Sequence, residues 1–200
     1  MTSDNGSRFG GTVSVGSGTP TITPTSTFSS LNFVLGTSVQ GTGGVTFGGN
    51  NAASFTRTVT YSGASANTYS GLTTMAMTGG TGNVLSLSKT AGVNAIAGDL
   101  LITAGTVSYG ASNQIANTSA VSLNGSTAVF ALGANSDTVG TVTLDGLGSI
   151  TSSTGVLTGS SYKMNSGTVS AILGGTGIAL TKSTSGTVTL SGVNTYTGAA

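Results

Sequence analysis

One phrase occurs twice in this chain, and its repetition restricts the folds that the chain can adopt. Residues 58–71 read "TVTYSGASANTYSG", and residues 187–198 read "TVTLSGVNTYTG". Each copy alternates apolar and hydroxyl-bearing residues and then enters a stretch of Gly, Ser and Asn, a pattern that predicts a strand followed by a turn. Such a recurring unit is typical of repeat folds, in which each copy buries its apolar side only against its neighbours.

A shorter phrase, Gly-Thr-Val followed by Ser or Thr, begins at Gly11, Gly105, Gly140, Gly167 and Gly186. From Gly105 onward the spacings are 35, 27 and 19 residues. Irregular spacing of this kind favours the coils of a β-solenoid, which differ in loop length. At about 20 residues per coil we expect roughly ten rungs and a body ~50 Å long.

The alternation also predicts which side chains enter the core. Thr141, Thr143, Thr187 and Thr189 should face outward. The inward rows should include Leu85, Leu87, Val121, Leu123, Val142, Leu144, Val188 and Leu190.

The composition indicates a folded all-β chain. Gly, Ser and Thr make up about half of it, only 4% is charged, and 36% is hydrophobic. Disordered chains usually combine low hydrophobicity with high charge, and this chain has neither property. A sandwich or jelly roll stays open as an alternative, because hairpin sheets alternate too and Asn124-Gly125 is a strong turn signal.

Several function classes are disfavoured. There is no Cys and no His, which removes disulfides, thiolate or imidazole metal sites and the Ser-His-Asp triad. Five scattered Lys and Arg residues cannot form the basic face that nucleic acid requires, so no nucleic-acid partner is expected. No apolar run is long enough for a membrane helix, and no signal peptide is visible at the start.

Asp137 and Asp145 are the candidate catalytic pair, since some β-helical enzymes degrade polysaccharides with clustered Asp residues. Glycoside hydrolysis needs two carboxyl groups within ~5–10 Å. The simpler interpretation is that Asp137 caps a turn and Asp145 forms an Asp-Gly turn. We therefore assign no catalytic, cofactor-binding or metal-binding residues, and we expect no cofactor.

Other motifs are also better explained by structure. "GGTG" at Gly79 and Gly174 lacks the Asp ligands of calcium-binding β-rolls, which predicts turns. Lys182 lacks the spacing of a phosphate loop and should be a solvated cation. The tyrosines Tyr61, Tyr69, Tyr109 and Tyr196 stand beside turn motifs and should stack inside the coil, with a sugar-binding strip as the alternative.

Residues 179–200, "ALTKSTSGTVTLSGVNTYTGAA", closely resemble the autotransporter-associated β-strand repeat, and residues 113–150 resemble the sequence between such repeats. The resemblance covers residues 31–200 with varying strength. An insertion at residues 64–66 and Ser185 in place of a common Gly depart from the family pattern.

The resemblance implies an all-β, right-handed parallel β-helix (β-solenoid) that is a fragment of a longer array. Residues 1–28 would form a loose lead-in or cap, and residues 29–200 the repeat region. The implied function is a non-enzymatic structural or adhesive stalk of a secreted bacterial surface protein, whose repeats aid export and folding. The family has no catalytic motif to carry over.

The implied location is extracellular or on the bacterial surface, with membrane attachment only through a translocator domain. Expected partners are a host or glycan surface and further copies of the chain joined end to end, since residues 187–200 form an ordinary repeat without a polar cap. A self-assembling extracellular filament or phage-fibre subunit is the alternative. A polysaccharide-active enzyme using Asp137 and Asp145 is the less favoured one.

Overall fold

The computed structural model describes residues 7–9, 13–23, 31–51, 56–80 and 82–200. All regular structure in these residues is β, and every pairing given for their strands is parallel. The strands, in chain order, are β1 (Ser7–Phe9), β2 (Val13–Ser14), β3 (Thr21–Ile22), β4 (Leu31–Leu35), β5 (Val39–Gln40), β6 (Val45–Asn51), β7 (Arg57–Gly63), β8 (Thr73–Gly79), β9 (Asn83–Lys89), β10 (Leu100–Tyr109), β11 (Val121–Asn124), β12 (Ala128–Gly133), β13 (Asp137–Asp145), β14 (Ser149–Ser152), β15 (Val156–Met164), β16 (Gly167–Val169), β17 (Ile172–Gly174), β18 (Leu180–Thr181) and β19 (Val188–Leu190).

The strands stack as a β-solenoid of about seven turns with three faces. The first face contains β1, β4, β7, β9, β12, β14, β16 and β19. The second contains β2, β5 and β17, and the third contains β3, β6, β8, β11 and β18. Strands β10, β13 and β15 pass around a corner, so each of them contributes to two faces.

The all-β parallel solenoid predicted from the sequence is confirmed, and the sandwich alternative is wrong. Hairpins would give antiparallel neighbours, whereas here each strand pairs with a strand one turn away. Asn124-Gly125 does lie between two strands, but it forms a corner between β11 and β12 on different faces.

The predicted inward rows form the core. Leu85, Leu87, Val121, Leu123, Val142 and Leu144 are fully buried. The last coil differs, because no coil of the described chain lies beyond it: Val188 is half-buried, and Leu190 is 37% exposed. The outward threonines are as predicted, with Thr141 and Thr143 half-exposed and Thr187 and Thr189 exposed.

The predicted count of ten rungs is wrong, because the coils are longer than 20 residues in the first half of the chain. Val59 pairs with Leu85, 26 residues later, whereas Ile150 pairs with Val169, 19 residues later. Seven turns correspond to a height of roughly 35 Å.

The spacing of the Gly-Thr-Val phrase gave a wrong coil length, because the phrase occurs at more than one corner of the solenoid. At Gly105, Gly167 and Gly186 it opens strand segments on the first face. At Gly140 it opens a segment on the third face, so the spacings on either side of it are not whole turns.

The lead-in predicted over residues 1–28 lies partly outside the described residues. Residues 7–9 and 13–23, which are described there, contribute β1, β2 and β3. These strands pair with β4, β5 and β6 of the next turn.

Gly105 lets β10 turn from the third face to the first without a loop. Its φ is +78°, a region that L side chains rarely adopt. A Cβ at this position would lie 2.5 Å from Met75 Cε and 3.1 Å from the Asn83 carbonyl oxygen. Both the backbone angle and the lack of space therefore require glycine.

Gly105→Ala should lower the free energy of unfolding more than Gly133→Ala. Gly133 also has a positive φ, +60°, but nothing lies within 4 Å of a Cβ there. The left-handed backbone alone should cost about 1–2 kcal/mol, and the contacts at Gly105 should add roughly 1 kcal/mol or more. Urea unfolding of the two variants measures the difference, and equal losses would contradict the close packing at Gly105.

Candidate functional site

The predicted catalytic pair is not brought together. Asp137 begins β13 on the second face, and its carboxylate lies in the interior, 2% exposed. Asp145 ends β13 on the third face, five residues past the corner at Gly140, which is about 16 Å of strand. The two carboxyl groups therefore do not flank a common site.

Asp137 binds backbone of the preceding coil. Its Oδ2 accepts hydrogen bonds from the amides of Gln114 (2.9 Å) and Ile115 (3.0 Å) and from the Tyr109 hydroxyl (2.8 Å). Burial raises the pKa of the Asp137 carboxyl, and these three hydrogen bonds oppose the rise. The turn cap predicted for Asp137 is therefore wrong, since the carboxylate joins two coils.

Asp145 forms the predicted Asp-Gly turn. Its Oδ1 accepts from the Gly146 amide at 2.8 Å and from the Ser166 hydroxyl at 3.1 Å. These hydrogen bonds, the one from Gly146 first, lower the pKa of the Asp145 carboxyl. Asp145 therefore forms a turn and also contacts the next coil through Ser166.

Asp137 belongs to a row of buried polar side chains at the corner between the first and second faces, which we call the corner spine. Its members are all at most 2% exposed and bind backbone groups of neighbouring coils. They are Asn67, Lys89, Gln114 and Asp137.

Lys89 supplies the cation of the corner spine. Its Nζ donates to the carbonyl oxygens of Ser65 (2.8 Å), Ser62 (3.1 Å) and Thr37 (3.2 Å). Its own amide donates to Gln114 Oε1 at 2.8 Å. Burial lowers the pKa of the Lys89 ammonium. The ammonium thus satisfies carbonyls of the two preceding coils.

The repeated Asn-Thr-Tyr phrase occupies the same place in both of its coils. Asn67 Oδ1 accepts from the Val39 amide, and Asn194 Oδ1 accepts from the Leu173 amide, each at 2.9 Å. The Thr68 amide donates to the Val39 carbonyl oxygen, and the Thr195 amide donates to the Leu173 carbonyl oxygen, each at 2.8 Å. The two copies therefore make the same contacts with the coil before them.

A second feature is a cleft at the corner between the third and first faces. Here β8 ends at Gly79 and β9 begins at Asn83, whereas β10 passes the same corner of the next coil without interruption. The longer corner leaves a cleft of about 380 Å³ beside the shorter one. We call it the corner cleft; it is lined by glycines of both corners and by Met77, Thr78, Asn83, Thr106 and Thr127.

Asn83 is one of the residues that line the corner cleft, and it is 6% exposed. Its Nδ2 donates to the carbonyl oxygens of Gly79 (2.6 Å) and Met77 (3.4 Å). Its Oδ1 is buried and has no hydrogen-bond partner. Because both neighbours of Nδ2 are acceptors, the orientation of the amide is fixed.

The tyrosines lie inside the coil as the stacking interpretation predicts. Tyr61, Tyr69, Tyr109 and Tyr162 are buried, and the half-buried Tyr196 packs on Tyr162 with ring centroids 5.8 Å apart. They do not form a sugar-binding strip on the surface.

The other candidate motifs are structural as well. Gly79, with φ +69°, lies at a corner, and Gly174 ends β17. Lys182 is exposed and donates to the Thr184 carbonyl oxygen.

The sequence interpretation missed Asn83 and Lys89, although a signal was present. Both lie in phase with Leu85 and Leu87 in "NVLSLSK", so the alternation places them on the inward row. A polar residue on an inward row requires a buried partner.

In the described part of the chain, no group of three or more His, Cys, Asp or Glu residues could hold a metal ion. The same residues contain no helix with the length and hydropathy to span a membrane. Comparison with known proteins finds no matching family model, no matching curated protein and no matching solved structure.

Lys89→Met should destabilise the solenoid by about 2–4 kcal/mol, because three carbonyl oxygens lose a charged donor. Lys163→Met is the matched control: Lys163 is exposed on the third face, and its loss should change the free energy of unfolding by no more than about 0.5 kcal/mol. Denaturant unfolding of both variants checks this. A similar small effect for both would mean that the Lys89 contacts contribute nothing.

Asp137 should make stability depend on pH. A carboxyl whose pKa is raised by folding adds to the free energy of unfolding at low pH. This contribution is fully present below the unfolded pKa of about 3.9 and is lost as the pH rises through the pKa of the folded state. Relative to Asp137→Asn, the wild type should therefore become less stable as pH rises above about 4. The difference should reach about 1.4 kcal/mol for each unit of pKa change.

Asp145→Asn provides the control of opposite sign. Because folding lowers the pKa of Asp145, its contribution is present above the unfolded pKa and is lost as pH falls. Urea unfolding of the three proteins between pH 3 and 7 measures both differences. An Asp137→Asn curve parallel to that of the wild type would contradict the raised pKa.

Proposed function

We propose that this chain is a non-enzymatic structural and adhesive stalk of a secreted bacterial surface protein, located outside the cell. The observation that carries the proposal is the corner spine. Lys89 and Asp137 are buried ionisable groups, and both form hydrogen bonds to the backbone of neighbouring coils. Their hydrogen bonds hold neighbouring coils of the stack together.

The arrangement also supports a role of the repeats in folding during export. At three places in the spine, a side chain of a later coil accepts an amide of the coil before it: Asn67 from Val39, Gln114 from Lys89 and Asp137 from Gln114. These amides therefore gain their partners when the next coil folds onto them. This property suits a chain that folds one coil at a time, in keeping with its resemblance to autotransporter-associated repeats.

Two measurements test the proposal. In the bacterium that carries the chain, brief protease treatment of intact cells should release its peptides while a cytoplasmic marker stays intact, because a stalk is exposed outside the cell. Purified chain incubated with neutral and uronic-acid polysaccharides should produce no new chain ends. Intact peptides on treated cells would overturn the surface location, and turnover that disappears in Asp137→Asn would establish the enzyme alternative.

A further inference from the structure

The outward side of the first face carries a row of side chains in register over six successive coils. Strands β9, β10, β12, β14, β16 and β19 each contribute one residue to it. We call it the outer row; its members, one coil apart, are Val84, Thr106, Val129, Ser149, Thr168 and Thr189. All but Ser149 are β-branched, and Val and Thr have nearly the same shape, so the row forms an even ridge of methyl and hydroxyl groups.

A second row runs beside the outer row, two residues further along each strand. Ser86, Ser108, Ala131 and Thr151 occupy it and are in register in four successive coils. All four side chains are small, which keeps this side of the solenoid flat. Adjacent rungs lie about 4.8 Å apart, and residues two apart in a strand lie about 6.6–6.8 Å apart. The first face therefore presents a two-dimensional lattice of small hydroxyl and methyl groups.

The hydroxyl groups of the outer row are available to a ligand. Thr106 and Ser149 are half-buried, and Thr168 and Thr189 are exposed. Within the part of the chain that the structure describes, these four hydroxyls form no hydrogen bond with another protein group. Each hydroxyl can donate one hydrogen bond and accept two, so the row can bind a partner that offers both donors and acceptors.

Neither charge nor aromatic rings contribute to this surface. On the described first-face strands from β7 onward the charged residues are Arg57 and Lys89, and both are buried. The third face differs, since Lys163 is exposed on it and β13 ends there with Asp145. An uncharged face does not attract an ionic partner over distance. The two rows also lack the flat rings that stack on sugars.

We propose that the first face binds ice through the outer row and the row beside it. A partner that uses the same contact at every rung must itself be periodic, and the rung spacing is close to the oxygen spacing along the a axis of hexagonal ice. Water molecules at an ice surface offer donors and acceptors in turn, which the threonine hydroxyls can match. The methyl groups between them restrict the orientation of neighbouring water. Because the rows are held on one rigid face, weak single contacts act together.

Ice as the ligand gives the adhesive part of the proposed function a partner of defined chemistry. It rests on that function for its biological setting only, since the contacts require nothing but the folded coil.

The experiment is slow growth of ice in a dilute solution of the purified chain. Growing ice excludes ordinary solutes and retains those that adsorb to its surface. The ratio of protein concentration in the melted ice to that in the remaining liquid should exceed the ratio for an inert protein of similar size by about fivefold or more, because many contacts act at once.

Two variants and a matched control locate the face. Thr106→Lys and Thr168→Lys each place a long charged side chain in the outer row, which holds the neighbouring rungs away from the ice. Both should lower the ratio to nearly that of the inert protein. Thr74→Lys makes the same change at a half-buried outward position of the third face and should leave the ratio unchanged. Urea unfolding of the three variants checks that each is folded.

Exclusion of the wild type from ice, an equal loss in Thr74→Lys, or an unchanged ratio in both outer-row variants would each overturn the inference. So would binding to microcrystalline cellulose or chitin without retention in ice. These outcomes are separate from failure of the proposed function. A chain exposed on the cell that ice excludes keeps the stalk and loses this ligand, whereas retention in ice by a chain that is not exposed keeps the ligand and loses the stalk.

Discussion

The coils of this solenoid turn three corners in every turn, and many of these corners interrupt the parallel hydrogen bonds of the faces. The amides and carbonyls that enter the interior there still need partners, because a buried backbone group without one is costly. At the corner between the first and second faces the partners are side chains of neighbouring coils, such as Asn67 for Val39 and Lys89 for three carbonyls. The alignment of each coil with its neighbours depends on these hydrogen bonds as well as on the apolar rows.

The other two corners solve the same problem in different ways. Between the second and third faces, Gly44, Gly71 and Gly98 lie so close to the neighbouring coil that a Cβ on each would be within 2.4 Å of backbone atoms. Backbone there packs on backbone. Between the third and first faces the corner changes length from coil to coil, and the mismatch between residues 79–83 and Gly105 leaves the corner cleft. The corner between the first and second faces also changes length: Ile96 follows Leu87 by nine residues, whereas in the next coil Ile115 follows Tyr109 by six.

The sequence was sufficient for the architecture because the inward rows obey strict alternation. Leu85, Leu87, Val142 and Leu144 could be placed in the core from their spacing alone. Coil length could not be read in the same way. Glycine opens strands at more than one corner, so the identical phrase at Gly105 and Gly140 marks different faces.

The candidate site was less predictable, because it arises from contacts between coils that are distant in sequence. Alternation places Asn83 and Lys89 inward, but it does not identify the carbonyls that they meet. The carbonyls bound by Lys89 lie 24 to 52 residues away. Asp137 was misassigned to a local turn for the same reason, since its partners are in the preceding coil.

The use of charge follows from this architecture. Only 4% of the chain is charged, and two of these residues, Lys89 and Asp137, are enclosed in the corner spine. Few ions remain to give the outer faces an electrostatic field that could attract a charged partner. Recognition at such a surface must depend on hydroxyl groups, exposed backbone and occasional apolar side chains. Among the described residues, the large apolar side chains exposed at this surface are Leu72, Leu147, Leu190 and Val193.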